Sequence, residues 1–162
     1  MGRTVFFGAL VTAFILVFLY FSFNQITPTE IENAPEWMPL DTALEQAKSP
    51  SSEKLVLIDV YEVGCRFCRR MEREVYPSES IRTLIDQSFH PVKVNGNSDG
   101  EIRFLGQTMS EREFASQMGV TAFPFTVVLD SEGNIISSRR GYMGISDLSR
   151  FLNEALNEVQ KS

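Results

Sequence analysis

The only two cysteines of this chain lie three residues apart, at the seam between two local patterns. Before them, Leu55-Val56-Leu57-Ile58-Asp59-Val60-Tyr61 is a short apolar run rich in β-formers, the pattern of a buried strand. After them, Arg69 to Val75 reads as a helix, with Phe67, Met71 and Val75 spaced by four as one stripe. A Cys-x-x-Cys set where a strand hands over to a helix is the arrangement that thiol–disulfide exchange needs.

The chemistry follows from ionisation. Only a thiolate attacks a disulfide, and a free cysteine is mostly protonated at neutral pH. The first turn of a helix offers unpaired N–H groups and the positive end of the dipole, so Cys65 is expected to ionise easily and act as nucleophile. Cys68 lies on the same side of that turn and can attack the mixed disulfide, making it the resolving thiol. Arg66 and Arg69 add positive charge nearby and Glu62 opposes it. Two blander readings compete. A structural zinc site needs four ligands, and beyond the cysteines there is one histidine, His90. A structural disulfide across three residues would constrain little of the unfolded chain. Exchange chemistry requires neither metal nor organic cofactor, and none is expected.

Residues 1–23 differ from the rest. Val5 to Phe23 carries no charge and seven aromatic residues. As a helix, 19 residues reach roughly 28 Å, close to the hydrocarbon thickness of a bilayer. Arg3 precedes the segment and Glu30 and Glu32 follow it, which orients the N-terminus to the cytoplasm and the remainder outside. A cleaved signal peptide is the rival, but Tyr20-Phe21-Ser22-Phe23 places bulky side chains where small ones are wanted. The expectation is a single-pass anchor in the cytoplasmic membrane, a linker over 24–39, and a periplasmic or otherwise extracytoplasmic domain over 40–162. Past Arg3 the chain holds 14 basic and 21 acidic residues, a net charge of -7, which argues against nucleic acid as partner.

Within the domain, periodicity predicts a helix over 41–48 capped by Asp41, the strand 55–61, the cysteine-bearing helix to Val75, and a helix from Ser78 to Ser88. A strand follows over 91–95. The Gly-containing stretch from Asn95 to Met109 reads as irregular, and Ser110-Glu111-Arg112-Glu113 as a capping box opening a helix to Met118. Phe125–Asp130 and Ile135–Arg139 form a hairpin about Ser131-Glu132-Gly133-Asn134, and a final helix runs from Ser146 to Val159. This order gives an α/β fold, a central mixed sheet with helices on both faces.

On these residues the chain resembles the thioredoxin superfamily from about Asp41 to Val159. The carriers are Cys65-Arg66-Phe67-Cys68 after a strand, Asp59 six residues earlier, Phe123-Pro124-Phe125 entering the third strand, and Gly141 after the hairpin. More finely, Met71-Glu72-Arg73-Glu74-Val75 and Gly141-Tyr142 are similar to exported thioredoxins of the SoxW kind and to the C-terminal domain of the thiol reductase DsbD. The resemblance implies a thioredoxin fold and a redox disulfide Cys65–Cys68. It implies a proton-transfer role for Asp59, with Lys93 near it. It implies a cis bond before Pro124, and a substrate surface of Phe123, Pro124, Gly141 and Phe67. Two departures are visible: Gly64 stands where the family carries Trp, and Arg-Phe separates the cysteines in place of Gly-Pro.

The resulting expectation is an anchored thiol–disulfide oxidoreductase that reduces disulfides of exported proteins. Another thiol protein, such as a transmembrane carrier, would then re-reduce it. A disulfide donor or isomerase, and a non-catalytic thioredoxin-fold binding module, are the alternatives.

Overall fold

The computed structural model describes residues 2–24 and 31–161, and within the first helix the side chains of residues 7, 8 and 11–22. Two compact units result, Met1–Glu30 and Ile31–Ser162. The first holds helix α1 (Gly2–Asn24). Among the described residues no helix is long and apolar enough to cross a membrane. Residues 25–30, part of the expected linker, lie outside the described residues.

The second unit is built on a four-stranded sheet of order β2-β1-β5-β6, from β1 (Leu55–Tyr61), β2 (Phe89–Asn95), β5 (Phe125–Leu129) and β6 (Ile135–Arg140). β1 runs parallel to β2 and antiparallel to β5, and β5 and β6 are antiparallel, so the sheet is mixed as expected. The β1 run is apolar but for Asp59 and the end residue Tyr61, because both its faces are covered. Val56, Ile58 and Val60 point into a cluster with α2 (Leu40–Ala47) and α5 (Glu111–Gln117). Leu55 and Leu57 point into a second cluster with α4 (Glu79–Ser88) and α6 (Ile145–Val159). Asp59 takes its place on that second face by the same alternation.

Four local expectations are corrected. The 95–109 stretch is not irregular: β3 (Glu101–Phe104) and β4 (Gln107–Ser110) form a second, two-stranded sheet. Their turn is Leu105-Gly106, both at positive φ, the geometry of a tight hairpin. Asp41 does not cap α2, which begins one residue earlier with Pro39 at the cap position and no side-chain bond. β2 begins at Phe89, two residues before the expected start. The cysteine-bearing helix starts at Arg66 as α3 (Arg66–Arg70) and widens into a π turn over Met71–Val75, closed by the Tyr76 N–H donating to the Met71 carbonyl at 3.0 Å. The Ser110–Glu113 capping box is present in full.

The segment before α2 lies on the sheet. Met38 bridges to Val92 beside β2, the Trp37 ring stands edge-on to Tyr76 at 5.2 Å, and Asn33 Nδ2 donates to the Pro77 carbonyl at 2.6 Å.

Candidate active site

β1 delivers the chain to the cysteines through a tight turn. Gly64 sits at φ +91°, a conformation that a side chain resists, which accounts for glycine at this position. The Cys65 N–H donates to the Glu62 carbonyl at 3.3 Å, and Cys65 occupies the cap position of α3. Its Sγ accepts the Cys68 N–H at 3.1 Å, so an end-of-helix donor faces the sulfur itself. The two sulfurs are joined as a disulfide, with Cα atoms 5.3 Å apart. Their exposure differs. Cys65 is partly open to solvent, whereas Cys68 is 5% exposed. A partner can therefore reach Cys65 first.

On the protein side of the pair lies a cavity of about 260 Å³, lined by Cys68, Asp59, Glu72, Lys93, Tyr61 and Glu62 among others. Asp59 is 2% exposed, and burial lifts its pKa from 3.8 to about 6. Lys93, its register partner on β2, pulls the other way, as does the Tyr76 hydroxyl; Glu72 adds to the rise. Lys93 is held by an ion pair with Glu72 and lies over the Tyr61 ring at 4.8 Å and the Trp37 ring at 5.7 Å. The Tyr76 hydroxyl is near enough to favour charged Asp59 but is outside hydrogen-bonding geometry. Asp59 Oδ1, Tyr76 Oη and Thr126 Oγ1 are buried without a hydrogen-bond partner among the described residues. A carboxyl poised near neutrality beside the buried thiol is suited to exchange a proton with it.

On the solvent side, the Phe123–Pro124 bond is cis and Gly141 donates its N–H to the Pro124 carbonyl at 2.8 Å. Gly141 is at φ +93°. The partly buried Phe123 ring packs against the first core cluster and rests on Gly96, where an added Cβ would stand 2.5 Å from it. That ring is committed to packing, and only its backbone is left for a substrate. Phe67 does not continue the buried stripe of Met71 and Val75 but is 52% exposed. Its ring lies 6.1 Å from that of Tyr142, over which the Arg70 guanidinium sits at 4.9 Å.

The structure thus gathers Cys68 and Asp59 about one cavity, with Cys65 bonded to Cys68, and joins Pro124 to Gly141. His90 is elsewhere, its Nε2 3.3 Å from the Ser52 hydroxyl. Three residues gain a place that sequence reasoning did not give them. Glu72 stands four residues after Cys68, a helical spacing that could have signalled it. Tyr76 is turned inward by the π turn, which has no clear sequence signature. Tyr142 was visible only as Gly141's neighbour.

Residues 40–156 match the family profile of the thioredoxin-like domain. A curated relative, a protein disulfide-isomerase from Datisca glomerata, is 26% identical over 131 residues; the match covers 79% of this chain and 24% of that protein. The chain thus spans about a quarter of its length. Among solved structures, a DsbH oxidoreductase superposes with TM-score 0.60 at 21% identity, covering 82% of this chain and 92% of that one. The oxidised C-terminal domain of Neisseria meningitidis DsbD does so with TM-score 0.54 at 16% identity, covering 72% and 92%. At such identities the superpositions establish the shared fold.

Proposed function

The chain belongs to the thioredoxin-like family, a thiol–disulfide oxidoreductase with a Cys65–Cys68 pair, and from that premise we propose that it is a membrane-tethered reductase of disulfides in exported proteins. The observation that carries the exchange chemistry is the asymmetry of the pair: Cys65 is open, and Cys68 is buried against a carboxyl titrating at about 6. In the reduced protein, the Cys65 thiolate attacks one sulfur of a substrate disulfide. The Cys65–substrate bond forms, and the other substrate sulfur leaves as a thiolate and takes a proton. Cys68 then gives its proton to Asp59 and attacks Cys65 Sγ. The Cys65–Cys68 bond forms and the second substrate thiol departs. Two electrons have passed to the substrate, and a thiol donor must return them, with a transmembrane carrier the fitting class.

The anchoring reading rests on the uncharged run of residues 5–23 and on the exposed Phe14, Leu16, Phe18 and Phe21 of α1. It makes 1–23 a single-pass helix with its N-terminus in the cytoplasm, 24–39 a linker and 40–162 an extracytoplasmic domain. The direction of flow is tested by equilibrating the protein against glutathione and reading its potential. A value below about -200 mV is expected, and one near the about -120 mV of a strong oxidant overturns the reductase in favour of a disulfide donor. A binding-only role would show as insulin reduction no faster than that of the Cys65→Ser variant.

A further inference from the structure

We propose that Trp37, in the segment ahead of α2, is a positioning residue of the exchange site: its ring keeps the Lys93 ammonium beside Asp59 and in its ion pair with Glu72. This deepens the oxidoreductase reading above and rests on it. Lys93 is the register partner of Asp59, on the outer strand β2. A lysine carries a flexible four-carbon stem and a strongly hydrated head, so left alone on such a strand it turns to water. Here its side chain is only 20% exposed. Three groups hold it: the Glu72 carboxylate, the Tyr61 ring at 4.8 Å and the Trp37 ring at 5.7 Å. Glu72 and Tyr61 belong to the cavity that Asp59 and Cys68 share. Trp37 comes from another part of the chain, ahead of every strand of the sheet.

Trp37 is itself fixed. Its N–H donates to the Pro35 carbonyl at 3.0 Å, and the Met38 N–H donates at 3.0 Å to the carbonyl of Pro91, two residues before Lys93. The ring stands edge-on to Tyr76, which is fully buried and cannot give way. An aromatic face seated in this way attracts an ammonium, the more so where water is partly excluded. The two neighbours of the ring, Lys93 and Tyr76, are the groups that favour ionised Asp59 against its burial, and Glu72 opposes them. Cys68, Arg69, Tyr61 and Glu62 are the other titratable groups lining that cavity. By holding Lys93, Trp37 sets how readily Asp59 takes up and returns the Cys68 proton.

The test titrates the Asp59 carboxyl by isotope-edited NMR in the oxidised full chain in detergent, where neither sulfur ionises. Asp59→Asn assigns the signal. Trp37→Leu keeps apolar bulk and removes the π face. Its midpoint is expected about one pH unit above the parent's, because Lys93 is released from the carboxyl. Trp37→Phe keeps a ring and should restore most of the parent value. In a Lys93→Met background Trp37→Leu should add no further shift. The resolving phase of a single turnover with hydroxyethyl disulfide needs ionised Asp59, so in Trp37→Leu it should move to higher pH in step with the carboxyl. A Trp37→Leu midpoint equal to the parent's, one lowered by entry of water, or a shift that persists without Lys93 overturns the positioning role. So does a resolving phase that ignores the carboxyl. If Trp37→Leu does not fold, Trp37→Met is read by the same outcomes. Failure of the parent to reduce hydroxyethyl disulfide instead overturns the oxidoreductase reading, while the titration still decides whether Trp37 holds Lys93.

Discussion

The two sides of the Cys65–Cys68 bond are built on opposite plans. The inner side is closed: Cys68, Asp59 and Tyr76 are buried, and the charges of Glu72 and Lys93 are matched to each other. The outer side is open, with Cys65 partly accessible and Phe67 exposed beside Tyr142. Burial makes the inner carboxyl sensitive to protonation, because a low-dielectric site amplifies each charge. Exposure makes the outer groups poor at tuning a pKa but able to meet another molecule. One sulfur faces each environment, and a division between proton handling and partner handling follows.

Removing the sulfurs one at a time tests that division most severely. Cys65→Ser should abolish reduction and give no covalent adduct. Cys68→Ser should still accept the first attack and stall as a mixed disulfide, seen as added mass in intact-protein mass spectrometry. Adducts on the Cys65→Ser protein would reverse the assignment of sides.

Asp59→Asn probes the inner side alone. Because the folded-state pKa is raised, the native carboxyl holds its proton where the unfolded one has lost it. Stability should therefore fall as pH rises from about 4 to about 6 and stay lowered above that. A shift from 3.8 to about 6 corresponds to about 3 kcal/mol. Urea unfolding should find the Asn variant more stable at pH 7 by up to that amount and level with the parent at pH 3, with release of the mixed disulfide slowed. Parallel pH profiles would mean that Asp59 is not on the closed side at all.

Gly96→Ala acts on neither side of the pair directly but pushes the Phe123 ring off its seat. It should cost about 1–3 kcal/mol in the same unfolding assay, as overpacking does. The smallest effect is expected from Phe67→Ala, within about 0.5 kcal/mol for stability since the ring is half exposed. Its rate with a protein disulfide should drop more than its rate with a small one. A stability loss comparable to that of Gly96→Ala would place Phe67 in the core.

How much of this was legible depended on whether the signal was local. The β1 run, the Cys-x-x-Cys behind it and buried Asp59 could be read because a strand covered on both faces leaves an unbroken apolar stretch in which one acid stands out. The Ser110–Glu113 box was likewise a four-residue signal. The β3–β4 hairpin escaped because its turn is Leu105-Gly106, with Leu at φ +50° in place of the Asn or Asp that announces such turns. Phe67 could be read either as the first member of the stripe Phe67-Met71-Val75 or as an exposed apolar contact, and the structure exposes it. Cys68 takes the inward position in the first turn of α3, and Phe67 is left beyond the cover of the sheet. The Phe67–Tyr142 contact was invisible because its two residues are brought together only by the fold.

The two outer strands of the sheet show how the molecule avoids its own copies. An uncovered strand margin invites another chain to add itself, the first step of aggregation. β2 is shielded along its margin by Met38 and interrupted by Pro91, which lacks an amide hydrogen. β6 is uncovered and ends in Arg139 and Arg140, so two identical molecules approaching there bring like charges together. Edge-to-edge addition of a second copy is disfavoured at that margin by these two guanidinium groups.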